Sequence, residues 1–537
     1  MRTRYDYIVI GSGFGGSVSA MRLAEKGYDV LVIEKGKRWA NSDFPASNWK
    51  VHRYLWAPAL RFFGFQKLTF FKEVLVLSGV GVGGGSLVYA NTHMMPKSSF
   101  YQNKIWSHFR DWKNVLAPYY ERASYMLGSA KFVDEYEEDR VLREVANDMG
   151  HGDSFGPVDG VGVYLGDPDK STDPYFKGLG PERRGCTHCA GCMVGCRHGA
   201  KNTLDKNYLW FAEKHYGASV LAETQVKKIE FKDGIYQIHT SSSTRLFGEK
   251  NQVFESTGLV VSGGVLGTMD LLLRQKYLYK TLPDLSPRLG ENILTNSEML
   301  SGVMAADRKL NHGVAISRVF SPDENTNIEI CKFADGSGLM ARLGGMYASQ
   351  GTPLVRTAKM IGNSILHPWQ FLRMVFNTRI ATTGVFFLIM QTLENAMRMK
   401  LKRGLFGTSI SMVNDSPQRV PTYIPIGQEA MMRFAEKVNG VPMNAITEVT
   451  LNLASTAHIL GGCPMGDSPA TGVVDDQFRA FGYPNFHILD GSIIPCNLGV
   501  NPSLTITALS EYAMDHIAAK EGNSRPSLNE LLRNQAN

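Results

Sequence analysis

Residues 5–34, YDYIVIGSGFGGSVSAMRLAEKGYDVLVIE, constrain the fold more than any other stretch of this chain. The apolar run at 5–10 reads as a buried parallel strand, 14–26 carries helical spacing, and 29–33 reads as strand again. Between the first strand and the helix lie Gly11, Gly13 and Gly16 in the pattern G-x-G-x-x-G, with Phe14 and Gly15 inside it. Gly11 permits a tight turn, Gly13 lets backbone approach a pyrophosphate at the helix N-terminus, and Gly16 allows close helix packing. Glu34 closes the second strand, where it can accept hydrogen bonds from an adenosine ribose. Glycines, both strands and the acid in register predict a dinucleotide site. A glycine turn in another kind of α/β protein is the competing reading, and the stretch does not choose between FAD and NAD.

At 537 residues the chain exceeds what one core organises, so more than one domain is expected. Its 57 Lys and Arg against 50 Asp and Glu leave a formal charge of +7, but the cations are scattered and form no nucleic-acid module. That mild charge favours an anionic membrane surface over nucleic acid. No apolar run approaches the roughly 18 residues that span a bilayer, and the first strand starts too early for a cleaved leader, which points to a cytoplasmic protein.

The segment 49–71 is dense in aromatic residues, which can line an apolar cavity, meet lipid, or simply pack a core. Next, 79–91 reads GVGVGGGSLVYAN, with five glycines in its first seven residues, too many for a helix or central strand and suited to backbone lying flat on a ligand. Together with the N-terminal turn, this loop resembles the first signature of the glucose-methanol-choline (GMC) oxidoreductases, most closely the branch of non-covalent cholesterol oxidases. The resemblance implies FAD, with Gly83, Gly84, Gly85, Ser86 and Asn91 near the flavin, Val226 near the adenine, and a second backbone turn at Gly263 within 259–273.

Cys186, Cys189, Cys192 and Cys196 form C-x2-C-x2-C-x3-C, the compact spacing by which thiolates wrap a [4Fe-4S] cube. Structural zinc sites usually set two C-x2-C pairs a dozen or more residues apart, so spacing favours a cluster over zinc or free thiols. Arg197 stands where ferredoxins place proline, and His188 and His198 are alternative ligands or plain loop residues.

The C-terminal stretches 455–466 (STAHILGGCPMG) and 489–506 (LDGSIIPCNLGVNPSLTI) resemble the two final GMC motifs. The resemblance makes His458 the active-site histidine, Asn501 its partner, and Asp490 and Gly491 contacts to the FAD chain. Histidine titrates where a hydroxyl proton must be held or taken as hydride leaves carbon. Pro502 is expected to open a helix running to about residue 519, capped by Asn501 and aimed at the flavin pyrimidine. Glu329, in N-I-E-I, falls where cholesterol oxidases carry a glutamate that moves a steroid C4 proton; a structural buried or surface glutamate is the other reading.

The fold class expected is α/β: a doubly wound, Rossmann-like FAD domain of discontinuous segments with an inserted substrate domain of mixed or antiparallel sheet and helices. The expected division gives 1–95, 197–300 and 455–522 to the FAD domain, 96–196 and 301–454 to the substrate domain, and 523–537 to a peripheral tail. Strands are expected at 313–320, 327–333, 385–393, 397–402 and 408–413. The basic amphipathic stretch 353–380, broken at His367-Pro368, is either a membrane-facing helix pair or a packed lid. The function so implied is oxidation of a hydrophobic alcohol, with a 3β-hydroxysteroid as the favoured substrate, by hydride transfer to FAD. A cluster would pass single electrons to a protein or quinone acceptor. An oxygen-using cholesterol oxidase, a non-redox FAD lyase and a redox-sensing binding protein are the alternatives.

Overall fold

A computed structural model describes residues 2–245, 251–404 and 407–535. Strand β1 (Arg4–Ile10), helix α1 (Phe14–Glu25) and strand β2 (Val30–Ile33) form the expected unit. Both strands are almost wholly buried, as parallel strands covered on both faces must be. Seven strands make this sheet, in the order Ser219–Leu221, β2, β1, Gln252–Val261, Ile235–Ser242, Thr224–Lys232, with Phe486–Ile488 also pairing Gln252–Val261. Its first part is parallel, with Tyr7 opposite Val30 and Ile8 opposite Leu259. The edge from Ile235 onward is antiparallel. A segment from near the C-terminus thus lies beside one from the middle of the chain.

A second seven-stranded sheet, antiparallel throughout, runs Gly344–Met346, Val441–Ala445, Met299–Met304, Gly384–Gln391, Thr326–Cys331, Arg318–Phe320, Gly156–Pro157. Strand alternation gives each face its job. Ile328, Ile330, Phe387 and Ile389 pack into a core with Val141, Leu142 and Phe434 from the helices Glu137–Asp148 and Pro425–Lys437. The alternate residues Glu329, Cys331 and Leu388 are left for the opposite face.

A small third sheet holds the site together. Val74–Gly79 runs into the glycine loop, and parallel to it Ala454–Thr456 runs into His458, with Val76 opposite Thr456. The expected strand at 313–320 shrinks to Arg318–Phe320 because Gly313, at φ +94°, is spent clasping the cysteine loop: its N–H donates to the His188 carbonyl and its carbonyl accepts from the Ala190 N–H. The C-terminal segment is docked, with Leu528 and Leu532 buried and the Arg525 Nη1 donating to the Ala24 carbonyl at 2.6 Å. No helix among the described residues is long and apolar enough to cross a membrane.

Candidate active site

Two adjoining cavities, of about 370 and 580 Å3, follow the line from the second sheet to the adenosine edge of the first. Both are lined by Gly13, Gly85, Gly263, Gly264 and Gly267. The larger also takes in Gly11, Glu34, Gly84 and Val226, while the smaller takes in Phe14, Gly15, His458, Asp490, Gly491, Asn501 and Pro502.

The glycines divide by what a Cβ would meet. At Gly11 (φ +99°) it would stand 2.2 Å from the Ser262 carbonyl oxygen, at Gly15 1.8 Å from that of Leu489, and at Gly16 2.0 Å from that of Gly11. Those three glycines let backbone touch backbone. At Gly13, Gly264 and Gly267 a Cβ would meet nothing within 4 Å. They leave open space at the starts of α1 and of the helix Gly264–Leu273, where helix N-termini favour an anion. Lys35 and Lys67 line both cavities, and burial, reinforced by Lys35, holds the Lys67 ammonium down at about 8. A dinucleotide diphosphate fits this cradle. Asp490 braces it, accepting from Ser492 N at 2.8 Å and from Thr268 Oγ1 at 2.5 Å.

Glu34 is engaged before any ribose arrives: its carboxylate accepts from Ser12 N and Oγ at 3.1 and 2.8 Å and from Gly36 N at 2.8 Å. Gly16, Gly83, Ser86 and Asn91 line neither cavity. Ser86 Oγ instead ties the glycine loop to Leu204, donating to the Gly83 carbonyl at 2.7 Å and accepting from Leu204 N at 3.1 Å. Asn91 is buried at φ +61° with both side-chain polar atoms unpartnered.

At the inner end, His458 lies in the cavity wall and its Nδ1 contacts the Glu298 carboxylate. The other Glu298 oxygen accepts from Ala457 N at 2.8 Å. Nδ1 is therefore occupied, and Nε2 is the nitrogen left for a ligand. Asn501 shares the wall, and its Oδ1 is buried without a partner. Its loop is pinned by Asn296, whose Nδ2 donates to the Val500 carbonyl at 2.9 Å and whose Oδ1 accepts from Gly499 N at 2.8 Å. Asn501 is not the helix cap. The helix is Ser503–Asp515, Pro502 occupies the capping position with no side-chain cap, and the helix ends short of 519 because His516 closes it. Asn501 Oδ1, left without a partner, accepts from none of the helix N–H groups.

Glu329 is fully buried, does not line the cavity, and stands behind Asn501 with both oxygens unpartnered. Burial raises its carboxyl to about 8, opposed by the Asn501 amide and assisted by Glu298, so it is protonated at neutral pH.

All four cysteines of the compact motif line a third cavity of about 320 Å3 with His188, His198 and Lys201. Among the described residues no three His, Cys, Asp or Glu side chains converge as a single ion demands. The loop is nevertheless strained and clamped: His188 and Ala190 hold φ +56° and +53°, and buried Arg183 donates to the carbonyls of 199, 200 and 201. Lys201, buried and lowered to about 7 by desolvation, donates only to the Leu87 and Cys192 carbonyls. Val194 lines both this cavity and the one that holds His458, and Met193 meets Cys331 in the wall of the latter.

Glu298 and the two lysines escaped the sequence reading because no motif marks them. The sole signal for Glu298 is the pair of left-handed residues before it, Asn296 and Ser297, which sequence does not announce. The aromatic density at 49–71 divides: Tyr54 and Phe65 join Trp39, Phe44 and Val194 in a satellite core, Tyr54 also lines the smaller cavity, and Trp49 and Phe70 are exposed.

Models of the GMC oxidoreductase family match residues 178–294 and 399–510, and a model of NAD(P)-binding Rossmann-like domains matches 9–42. A cholesterol oxidase of Acinetobacter baumannii is 40% identical over 530 residues, covering 96% of this chain and 95% of that protein. One of Mycobacterium tuberculosis is 40% identical over 553 residues, covering 100% and 95%. Long-chain-alcohol oxidase FAO4B of Arabidopsis thaliana is 26% identical over 545 residues, 94% of this chain and 66% of the other. In fold, the pyridoxine 4-oxidase from Mesorbium loti superposes with a TM-score of 0.60 at 15% identity, covering 95% and 99% of the two chains.

Proposed function

Because this chain belongs to the GMC oxidoreductase family and is an FAD-dependent oxidoreductase acting on CH–OH groups, we propose that it oxidises a hydrophobic alcohol, a 3β-hydroxysteroid foremost, with His458 and Asn501 as the catalytic pair. The observation that carries this reading is the joint placement of the two: His458 offers Nε2 and Asn501 an unpartnered Oδ1 in the wall of one largely apolar cavity. Sterol as substrate draws support from the cholesterol oxidases to which the chain is similar and from Leu300, Leu343, Phe386 and Leu388 in that wall.

Gly13, Gly264, Gly267, Glu34, Val226, Asp490 and Gly491 would hold FAD, which when bound would supply the hydride acceptor. His458 Nε2 takes the hydroxyl proton as the carbon–hydrogen bond breaks. Glu298 keeps the proton on Nδ1 and bears part of the charge that imidazole gains. Asn501 orients the hydroxyl, and the protonated Glu329 behind it adds no second negative charge beside Glu298. Movement of a C4 proton by Glu329 would require it to reach past Asn501. The segments around the first sheet bind the dinucleotide and those around the second form the substrate lobe.

Anaerobic bleaching of the flavin by cholesterol, compared with a long-chain primary alcohol, tests the reading. Bleaching by the sterol supports it, bleaching only by the primary alcohol moves the substrate to fatty alcohols, and failure of both favours a lyase.

A second reading concerns where electrons leave. A [4Fe-4S] cluster held by Cys186, Cys189, Cys192 and Cys196 would pass single electrons to a protein or quinone acceptor instead of oxygen. Its support is that all four cysteines line one cavity with buried Lys201, which donates to carbonyls and not to a carboxylate, and that this cavity shares Val194 with the wall holding His458. Iron and acid-labile sulfide at about four each per flavin in anaerobic protein are expected; neither, with FAD present, returns the chain to an oxygen-using oxidase.

A further inference from the structure

The loop that carries the four cysteines belongs to two cavities at once. Its cysteines line the third cavity, while Met193 and Val194, set between Cys192 and Cys196, come out in the wall of the cavity that holds His458. There the Met193 Sδ stands 3.5 Å from the Sγ of Cys331, on the face of the second sheet that also carries Glu329. Val194 is buried and joins Phe44 and Tyr54 in the satellite core beside the same wall.

The loop is tied to both sides of the His458 cavity. On the cofactor side, Lys201 Nζ donates to the Cys192 carbonyl at 2.7 Å and to that of Leu87 at 3.1 Å, and lies 4.6 Å from the ring centroid of Tyr89, which lines the cavity. On the side of the second sheet, Cys189 bridges to Gly313; three residues on, Ile316 enters the cavity wall, and between them the Ala315 carbonyl accepts from Lys332 N at 2.9 Å. The loop's own backbone contributes little. Cys192–Val194, a three-residue helical turn, is the only helix or strand within 186–196 among the described residues, and His188 and Ala190 hold left-handed φ angles that persist only where the surroundings impose them. All four cysteines are free thiols.

We propose that Met193 is a specificity-determining residue of the alcohol pocket, pressing on the apolar body of the substrate, and that the occupant of the cysteine pocket holds it there. The second half rests on the cluster reading above; the first half does not. Methionine suits the place, because an unbranched thioether follows an irregular apolar surface once its backbone is fixed. With the pocket empty, Cys192 and Cys196 lose their common anchor, the turn between them relaxes, and the wall that Met193 forms draws back from the substrate. A turn fixed by packing alone would keep Met193 in place with the metal gone.

The test uses the full chain with FAD bound and two ketones that carry no hydroxyl to oxidise, progesterone and decan-2-one, read by anaerobic equilibrium dialysis. Half of each preparation is stripped with ferricyanide and a chelator, and iron, sulfide and FAD are counted in both halves. Affinity for the better-bound ketone is expected to fall about tenfold in Met193→Ala, the worth of roughly half a methionine side chain's burial, and to stay within about twofold of wild type in Met193→Leu. Stripping the wild type should cost a similar factor, and stripping Met193→Ala little more, since the contact is already gone. Wild-type affinity in Met193→Ala, or binding of neither ketone, overturns the specificity role. Unchanged affinity in stripped wild type, or losses that add in full, overturns the dependence on the metal. Protein isolated with FAD but neither iron nor sulfide removes the cluster reading and that dependence with it, while the two Met193 variants in the same protein still decide the specificity role. Should stripping unfold the protein, affinity is read against iron content in Cys189→Ser, altered at the exposed cysteine: it should fall with iron, and affinity independent of iron overturns the dependence.

Discussion

Replacing Glu298 by glutamine asks whether this carboxylate sets the working nitrogen of His458. Glu298 accepts from the Ala457 N–H at 2.8 Å, and its other oxygen is in contact with His458 Nδ1. Glutamine has one acceptor and one donor end. If its oxygen stays on Ala457, its NH2 faces Nδ1, the ring proton must move to Nε2, and the nitrogen aimed at the alcohol can no longer accept a proton. If its oxygen turns to Nδ1, the NH2 meets the Ala457 N–H, which is left unpaired. The first arrangement loses the carboxylate charge and the proton on Nδ1, and the second leaves a buried N–H unpaired as well; the loss is comparable to one buried hydrogen bond to a charged group, about 1.5–3 kcal/mol. If that loss falls on the transition state, it is about 10- to 150-fold in rate. The assay is flavin reduction by saturating alcohol in anaerobic stopped flow, with FAD content as the check on folding. The limiting rate should fall by this factor with little change in the concentration for half-saturation, and Glu298→Asp should recover part of it. Reduction at the wild-type rate in Glu298→Gln would refute the reasoning.

The two classes of glycine separate cofactor binding from folding. Gly13→Ala should leave the apoprotein's melting unchanged and lower retained FAD, because its Cβ enters only open space, whereas Gly11→Ala should destabilise the fold by about 1–3 kcal/mol through its clash with Ser262, measured by urea unfolding. Glu329 yields a pH signature: the folded protein holds a proton up to about pH 8 that the unfolded chain releases near 4.5, so wild-type stability falls as pH rises through that window. The melting temperature of Glu329→Gln relative to wild type should climb across the same window and then level; a constant difference would show that Glu329 titrates as an ordinary carboxyl. In the second sheet, Lys332 Nζ meets Glu138 at 2.6 Å with both side chains buried, and Lys332→Met should cost about 3–5 kcal/mol in denaturant unfolding by stranding Glu138.

What was legible in the sequence was mostly glycine. Close approach of backbone to backbone leaves a residue no other type can replace, so the G-x-G-x-x-G order alone marks Gly11 and Gly16 as positions where a Cβ would meet backbone, while Gly263 follows only from the family resemblance. Period and length found β1, α1, β2 and the helix pair after residue 353, since burial writes itself into apolar spacing. Gly83, Ser86 and Asn91 were assigned to the dinucleotide on resemblance, yet they line neither cavity. Ser86 serves the loop's own architecture. Glu298 was illegible for the opposite reason: its value lies in a partner 160 positions away, and a carboxylate at the head of a strand looks like any other.

The origin of each side chain at the inner end of the cavity explains why so little of that site could be read locally. Glu298 and Glu329 come from the second sheet and its approach, His458 from a strand paired with the glycine loop, and Asn501 from a turn pinned by Asn296. The geometry at Nε2 is therefore set by how the two sheets meet. Strand register adds a discrete control: a one-residue slip of Thr326–Cys331 against Gly384–Gln391 would exchange Glu329 and Cys331 for Ile328 and Ile330 on the face toward the site. The apolar side of that strand, sunk in its own core with Phe387 and Ile389, holds the register. The hydrophobic pattern on one face of the sheet thus fixes the chemistry presented by the other.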